Sequence, residues 1–391
     1  MKDETRVNHP PLPPQSPDNH PLLFPIYENV KWELDTVEES LRIIRGERQG
    51  YFYSRVSNPT VRQLELLLAE LQQRDDCVTC ASGVNAIAQT LLALTRTGDH
   101  VLHFAEGYAP TRQLTRNLLG RFGVRSTMLS IEDHAGIEGL LAREPTQVVV
   151  FESPTNPVTK IADISFITRV ARAHGAITML DNTFAGFHQH GQFDVDLFVH
   201  SLTKYTTGAG DVMGGAVIGS GEAIKKVRAE FRALGSQLDP HSASLMVRGM
   251  KTYFVRYRTQ SANALAVAQW LAGRAEATNV RYPGLPTHRF HALARAQMQD
   301  FGTVVTFDLR AGAEAGRRFT EALELFANTA SLGSTESLIV PPQMMGGREL
   351  NTEEREWSDI REGSIRLSIG LEDPADLIAD LERALGEALK T

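Results

Sequence analysis

Cysteine is scarce: the 391 residues hold only two, Cys77 and Cys80. That is too few for a disulfide framework in a chain this long, and a reducing cytoplasm is the expected compartment. No apolar run approaches the roughly 20 residues of a membrane helix, and the amino terminus lacks the basic-then-apolar layout of a signal peptide. Charge of one sign is missing as well. Forty Lys and Arg against 47 Asp and Glu leave a formal net charge of −7, with no long run of either sign, which argues against nucleic acid or an anionic membrane as the main partner. The twelve histidines form no HExxH-like group, so metal catalysis has no support. No internal repeat of fixed period is visible.

What is present is ordinary globular material. Hydrophobic residues make up 42% and charged residues 22%, enough to bury a sizeable core, and at about 150 residues per domain the length suggests two to three domains. Seven of the 18 prolines fall within residues 1–25. The stretch HPPLPPQSPDNHP lacks too many backbone donors for helix or paired strand, and residues 1–50 read as an extended arm. From Asp75 to Gly219 short β-branched apolar runs alternate with helical patterns. The runs are Cys77 to Cys80, Val101 to Phe104, Ser126 to Leu129, Val148 to Phe151, Ile177 to Leu180, Leu197 to Val199 and Ala216 to Ile218. Helices are expected over Val84 to Thr95, Thr111 to Arg121 and Ile164 to His174. This is an α/β layout with a mostly parallel, doubly covered sheet. Beyond Pro240 long helices are expected over Ala243 to Gly273 and His288 to Asp300, then strand-like Thr303 to Leu309 and Ile365 to Ile369 flank a helical Ala313 to Phe326. The boundary is placed near residue 245, giving a first domain over 51–245 and a smaller α+β domain over 246–391.

In open α/β sheets ligands bind beyond the carboxyl ends of strands. Polar residues follow four of the runs directly: Ala81-Ser82-Gly83, Glu152 to Pro157, Asp181-Asn182-Thr183 and Ser201-Leu202-Thr203-Lys204. Ser82-Gly83-Val84 at a strand-to-helix turn offers free amides and a positive dipole end to a phosphate, although alone it is an ordinary N-cap. A carboxylate at Asp181, just inside a strand end, needs a cation or donors to stay charged. Lys204 is one of only eight lysines. Together, a phosphate turn, a carboxylate and an amine at strand ends of one sheet suit a phosphorylated, cationic, aldehyde-bearing ring, which describes pyridoxal phosphate.

At this point the chain resembles the Cys/Met-metabolism family of pyridoxal-phosphate enzymes, which includes cystathionine γ-synthase, cystathionine β- and γ-lyases, methionine γ-lyase and O-acetylhomoserine sulfhydrylase. The matching stretches run in order from Tyr53-Ser54-Arg55 and Asn58-Pro59-Thr60 through Ser82-Gly83-Val84, Tyr108, Glu152-Ser153-Pro154-Thr155-Asn156-Pro157, Asp181-Asn182-Thr183 and Ser201-Leu202-Thr203-Lys204-Tyr205. They continue with Ser331-Leu332-Gly333, Glu336-Ser337 and Arg366-Leu367-Ser368-Ile369-Gly370. The resemblance implies the fold type I architecture, a large cofactor domain followed by a smaller one. It implies that Lys204 is the Schiff-base lysine, Asp181 the partner of the pyridine nitrogen and Asn156 a donor to the ring oxygen. Ser82, Gly83, Val84, Ser201 and Thr203 are the implied phosphate ligands, with Tyr53 and Arg55 reaching the same phosphate from a neighbouring subunit. Tyr108 resembles the tyrosine stacked on the ring, and Arg366 the fork for the substrate α-carboxylate. Ser331, Phe52 and Glu336 complete the implied substrate pocket. The implied assembly is a homo-oligomer with intersubunit sites, a dimer at minimum and a tetramer of two dimers in the family's usual form.

Some positions depart from the family pattern. Ala109-Pro110 follows Tyr108 where many members have Gly-Gly and methionine γ-lyases have Gly-Cys. Phe52 stands where cystathionine γ-lyases carry glutamate, and Gly208-Ala209-Gly210-Asp211 replaces Gly-His-Ser-Asp. The implied reaction is γ-elimination or γ-replacement on a γ-substituted amino acid: a homoserine ester, methionine, cystathionine or a canavanine-like substrate whose cationic tail could meet Glu336. A β-lyase acting on cystathionine or cysteine, an aminotransferase, and a regulatory protein on the same fold are the alternatives. For Tyr108 to act as acid or base near the departing atom, its phenol is expected to be depressed by nearby cations. Cys77-Val78-Thr79-Cys80 has no second pair to complete a zinc site and reads as strand interior. GGAVIG after Gly208-Ala209-Gly210 also reads as strand, against a dinucleotide fingerprint.

Overall fold

A computed structural model describes residues 1–11 and 22–390. Most of the proline-rich stretch therefore lies outside the described residues. A seven-stranded sheet has the order β1-β7-β6-β5-β4-β2-β3, from β1 (Asp76–Cys80), β2 (His100–Phe104), β3 (Arg125–Leu129), β4 (Val148–Glu152), β5 (Ile177–Asp181), β6 (Leu197–Ser201) and β7 (Gly215–Gly219). All seven expected runs are strands, most extended by one residue at an end. The pairs β2–β3, β2–β4 and β4–β5 are parallel, and β1 joins β7 antiparallel, so the sheet is mixed. Every residue of β2, β4 and β7 is buried, as a sheet covered on both faces requires.

The chain divides into two compact units, residues 1–93 with 199–253, and 94–198 with 254–391. The expected boundary near residue 245 falls inside the helix Pro240–Met250. In the first unit the half-buried Arg228 joins Glu65 and Asp76 while Arg62 reaches the same two carboxylates, which ties the helix Pro59–Leu71 to β1. The second unit holds a five-stranded sheet of order β10-β11-β12-β9-β8, made from β8 (Ala277–Arg281), β9 (Val304–Leu309), β10 (Ala327–Asn328), β11 (Leu338–Val340) and β12 (Ser364–Ser368). Phe307, Phe319, Leu367, Leu381 and Leu385 fill its core, beneath the helices Gly312–Ala322 and Pro374–Ala388.

Three expectations are corrected. The amino-terminal arm is not extended throughout: helices form at Asp3–Asn8, with acidic residues in its first turn and Val7 buried, and at Val37–Ile44, where the Thr36 side chain accepts from Glu39 N, because caps and first-turn charge favour them. The helix expected over Thr111 to Arg121 breaks into an α turn at Ala109–Gln113, a wider π turn at Leu114–Leu118 and a tight 3₁₀ turn at Leu119–Phe122. Gly123, at φ 76°, closes it. The helix expected over Ala243 to Gly273 is two, Pro240–Met250 and Tyr253–Ala272. Gly249 lies so close to Thr206 that a Cβ would come within 2.3 Å of the Thr206 carbonyl oxygen, and the chain turns at Lys251 and Thr252.

No helix among the described residues is long and apolar enough to cross a membrane. Cys77 and Cys80 are free and buried in β1. Burial holds the Cys77 thiol well above its ordinary range and pushes that of Cys80 up to about 12, so neither is a ready thiolate. Gly215–Gly219 is β7, as the argument against a dinucleotide fingerprint requires.

Candidate active site

In the first unit, β1 ends at Cys80 opposite Gly215, the first residue of β7. The turn that follows accepts on Ser82 Oγ from Asn85 N at 3.2 Å, and the helix Gly83–Leu94 begins at once. Two glycines allow this turn to sit against its neighbours. A Cβ on Gly83 would approach Ser201 Cβ to 2.7 Å, and one on Gly215 would approach Ser82 O to 2.1 Å. The amides of Gly83 and Val84 thereby open beside Ser201, with the positive end of a twelve-residue helix behind them. Thr203 closes the loop after β6, its hydroxyl accepting from Gly214 N at 3.2 Å. Lys204 follows, half-buried, its amide donating to Ser201 O at 3.3 Å. Amides, hydroxyls, a dipole end and an amine within this compact unit are the donor set that a phosphate and an aldehyde need, so the residues fit pyridoxal phosphate. Gly83→Ala is expected to weaken cofactor binding by roughly 10- to 100-fold, the equivalent of an overpacking strain of about 1–3 kcal/mol. A titration of apoprotein with the cofactor, followed by absorbance, measures it.

Tyr53 and Arg55 lie at the surface of this unit. Tyr53 is 39% exposed, and the Arg55 guanidinium sits 5.6 Å from its ring centroid while donating to Arg232 O at 2.9 Å. Phe52 is half-buried beside them.

In the second unit, the last residues of β4 and β5 are partners: Glu152 lies across from Asp181. Asp181 Oδ1 accepts from Thr183 N at 3.0 Å and from the Thr183 hydroxyl at 2.6 Å. Glu152 accepts the backbone N–H of Tyr108 on Oε1 and that of Asn156 on Oε2, the latter at 3.2 Å. Burial, and then Asp181, pushes the Glu152 carboxyl far above the usual carboxylate range. Asn156 Oδ1 in turn accepts from Arg366 Nη1 at 2.9 Å, while Arg366 Nη2 donates to Ser331 O at 2.8 Å. Arg366 is buried on β12, a strand with neighbours on both sides. Its planar fork is thus oriented before any carboxylate arrives. With Oδ1 engaged by Arg366, Asn156 presents its NH₂ as a donor.

Two expectations fare differently here. The Tyr108 phenol is pushed up rather than down, first by the partial burial of a residue that is 38% exposed and then by Glu152, against Arg366; at neutral pH it keeps its proton. Glu336 is exposed, and the neighbouring Ser337 is held instead by Glu372, through Oε1 to its amide at 2.6 Å and Oε2 to its hydroxyl at 2.8 Å. The residue that sequence reasoning passed over is Glu152. Its signal was its place at the head of the polar string after VVVF.

A cavity of about 650 Å³ in the second unit is lined by none of these residues. Its buried cations are already committed: Lys160 to Glu106 and Glu132, Arg281 to Asp308 and Asp359. It reads as a structural ion-pair network.

Comparison with known proteins settles the family. The model for Cys/Met metabolism PLP-dependent enzymes matches residues 13–386. The chain belongs to that family. The L-methionine gamma-lyase of Pseudomonas putida is 38% identical over 385 residues, covering 97% of this chain and 96% of its own. The O-succinylhomoserine sulfhydrylase of Pseudomonas aeruginosa is 37% identical, covering 92% and 90%. Among solved structures, a putative O-acetylhomoserine (thiol)-lyase from Campylobacter jejuni, which carries a pyridoxyl-lysine monophosphate, superposes with a TM-score of 0.92 at 29% identity over 99% of this chain and all of the other. The present chain has the type I fold, its cofactor is pyridoxal 5'-phosphate, and like other Cys/Met-metabolism PLP enzymes it is a lyase or transferase acting on an amino acid.

Proposed function

We propose that the chain carries out γ-elimination or γ-replacement on an amino acid whose γ carbon bears a neutral or anionic leaving group, methionine or an O-acyl homoserine. The observation that carries this reading is the buried Arg366 fork, anchored by Asn156 and Ser331 in the same unit as Tyr108. A departing thiolate takes up a proton, and the Tyr108 phenol, protonated at neutral pH, is a donor for it, whereas a departing carboxylate leaves as the anion. The names of the relatives, a methionine gamma-lyase and an O-succinylhomoserine sulfhydrylase, point the same way.

When bound, pyridoxal phosphate supplies the electron sink for the bonds broken at the α and β carbons. The remaining roles fall to the chain. Arg366 holds the substrate carboxylate by paired hydrogen bonds. The amine of Lys204 takes the α proton and assists removal of the β proton, and Tyr108 Oη protonates a departing thiolate. Asp181 favours positive charge at the ring nitrogen. The amides of Gly83 and Val84 with the hydroxyls of Ser82, Ser201 and Thr203 hold the phosphate, and Asn156 donates to the ring oxygen. Tyr53 and Arg55 reach the phosphate of a neighbouring subunit, which makes a dimer the smallest active unit and a tetramer of two dimers the full assembly. Their exposure on the single chain supports this.

Rates with methionine, O-acetyl and O-succinyl homoserine, cystathionine and canavanine test the reading. The neutral and anionic tails are expected to react faster than canavanine, because Phe52 offers no charge and Glu336 faces solvent. Canavanine as the best substrate would contradict the assignment.

A further inference from the structure

Tyr108 and Asn156 sit on separate loops, one following β2 and the other following β4, and neither loop is regular. Tyr108 precedes a five-residue helix. Asn156 lies four residues beyond the end of β4, outside any helix or strand. Backbone in such loops is placed only if its donors find acceptors. Both amides find the same one. Glu152 Oε1 takes the N–H of Tyr108 and Oε2 the N–H of Asn156. Glu152 is itself fixed by β4, where it pairs in register with Asp181.

We propose that Glu152 is a positioning residue, a single carboxyl group that clamps the Tyr108 loop to the Asn156 turn beside Asp181. The inference rests on the roles proposed above for Tyr108 and Asn156. Through Asn156 Oδ1 the clamp extends to Arg366, so one side chain sets the position of the acid and of the group that steadies the carboxylate fork. The charged groups acting on Glu152 are Asp181, which disfavours its ionisation, and Arg112, which favours it; the two amides favour it too. Glu152 also acts on the phenol, raising Tyr108 alongside burial and Asp181, against Arg366.

Ionised or protonated, a carboxyl group has an acceptor oxygen for each loop, whereas a glutamine in its place offers one acceptor oxygen and turns an NH₂ toward the second amide. Glu152→Gln should therefore keep one loop and release the other. Hydrogen exchange on the folded apoprotein reads this directly, without turnover. In Glu152→Gln the amide of Tyr108 or of Asn156 is expected to exchange about tenfold faster, and in Glu152→Ala both are. Glu152→Asp, one methylene too short to span both loops, provides a third reading if the other variants fail to fold. The tyrosinate absorbance belonging to Tyr108, obtained as the difference from a Tyr108→Phe chain, should also appear at lower pH in Glu152→Gln, since a raising charge is gone. Unchanged exchange at both amides in a folded variant overturns the clamp. So does faster exchange spread evenly along β4 and β5, which marks a purely structural residue. A failure of the γ-substrate assay with faster loop exchange would refute the reaction proposed above and leave the clamp standing.

Discussion

Replacing Lys204 with alanine is expected to lower turnover by on the order of 10⁴-fold, since the position supplies both the covalent attachment and the proton transfers at the α and β carbons. The variant should still take up pyridoxal phosphate. The turn at Ser82-Gly83-Val84 is built independently of the lysine, by the glycine contacts with Ser201 and Ser82 and by the Gly214–Thr203 hydrogen bond. Steady-state kinetics gives the first quantity. An absorbance titration of the variant with cofactor gives the second, and borohydride reduction with peptide mapping locates the attachment: the wild-type chain should carry the pyridoxyl group on the Lys204 peptide, and the variant should carry none. A reduced adduct on a different lysine of the wild-type chain would remove Lys204 from the account.

The second large effect is recovery rather than loss. Arg55→Ala subunits and Lys204→Ala subunits should each be nearly inactive alone. Mixed and allowed to exchange, they should regain up to about a quarter of the wild-type rate, because half the dimers are mixed and one site in each mixed dimer has both native residues. The motive is the placement of Arg55: exposed, stacked on Tyr53 and resting on its own Arg232 carbonyl, a site of little strength for an isolated surface cation. No recovery after mass spectrometry has shown subunit exchange would place Arg55 on its own chain's phosphate.

The strands were legible because a sheet covered on both faces demands unbroken apolar runs, and Val148 to Phe151 or Ile177 to Leu180 have no other use. Helices that start from a cap were harder. Pro59–Leu71 begins where the Asn58 side chain accepts from Thr60 N, and Thr352–Ser358 where Asn351 and Glu354 form a reciprocal box. Both starts are set by local side-chain caps, and neither segment is among the expected helices. The breaks near Gly123 and Gly249 depend on tertiary contacts, the approach of Gly249 to Thr206 among them.

For the site, the residue types at strand ends pointed to the cofactor, but the linkages between them lay beyond the sequence. Arg366 and Asn156 are 210 residues apart. Glu152 became important only through strand register, which sets it beside Asp181. The Tyr108 phenol shows the same limit. A cation could be named from the sequence, whereas the burial and the Glu152 charge that outweigh it could not.

The central claim is that bond breaking occurs at the γ carbon, and the keto acid formed reports it. Holoenzyme incubated separately with methionine, O-succinyl homoserine, cystathionine and cysteine should release four-carbon 2-oxobutanoate from the γ-substituted substrates, identified by mass. Three-carbon pyruvate as the main product from cystathionine or cysteine, with no turnover of methionine or the homoserine ester, would contradict it.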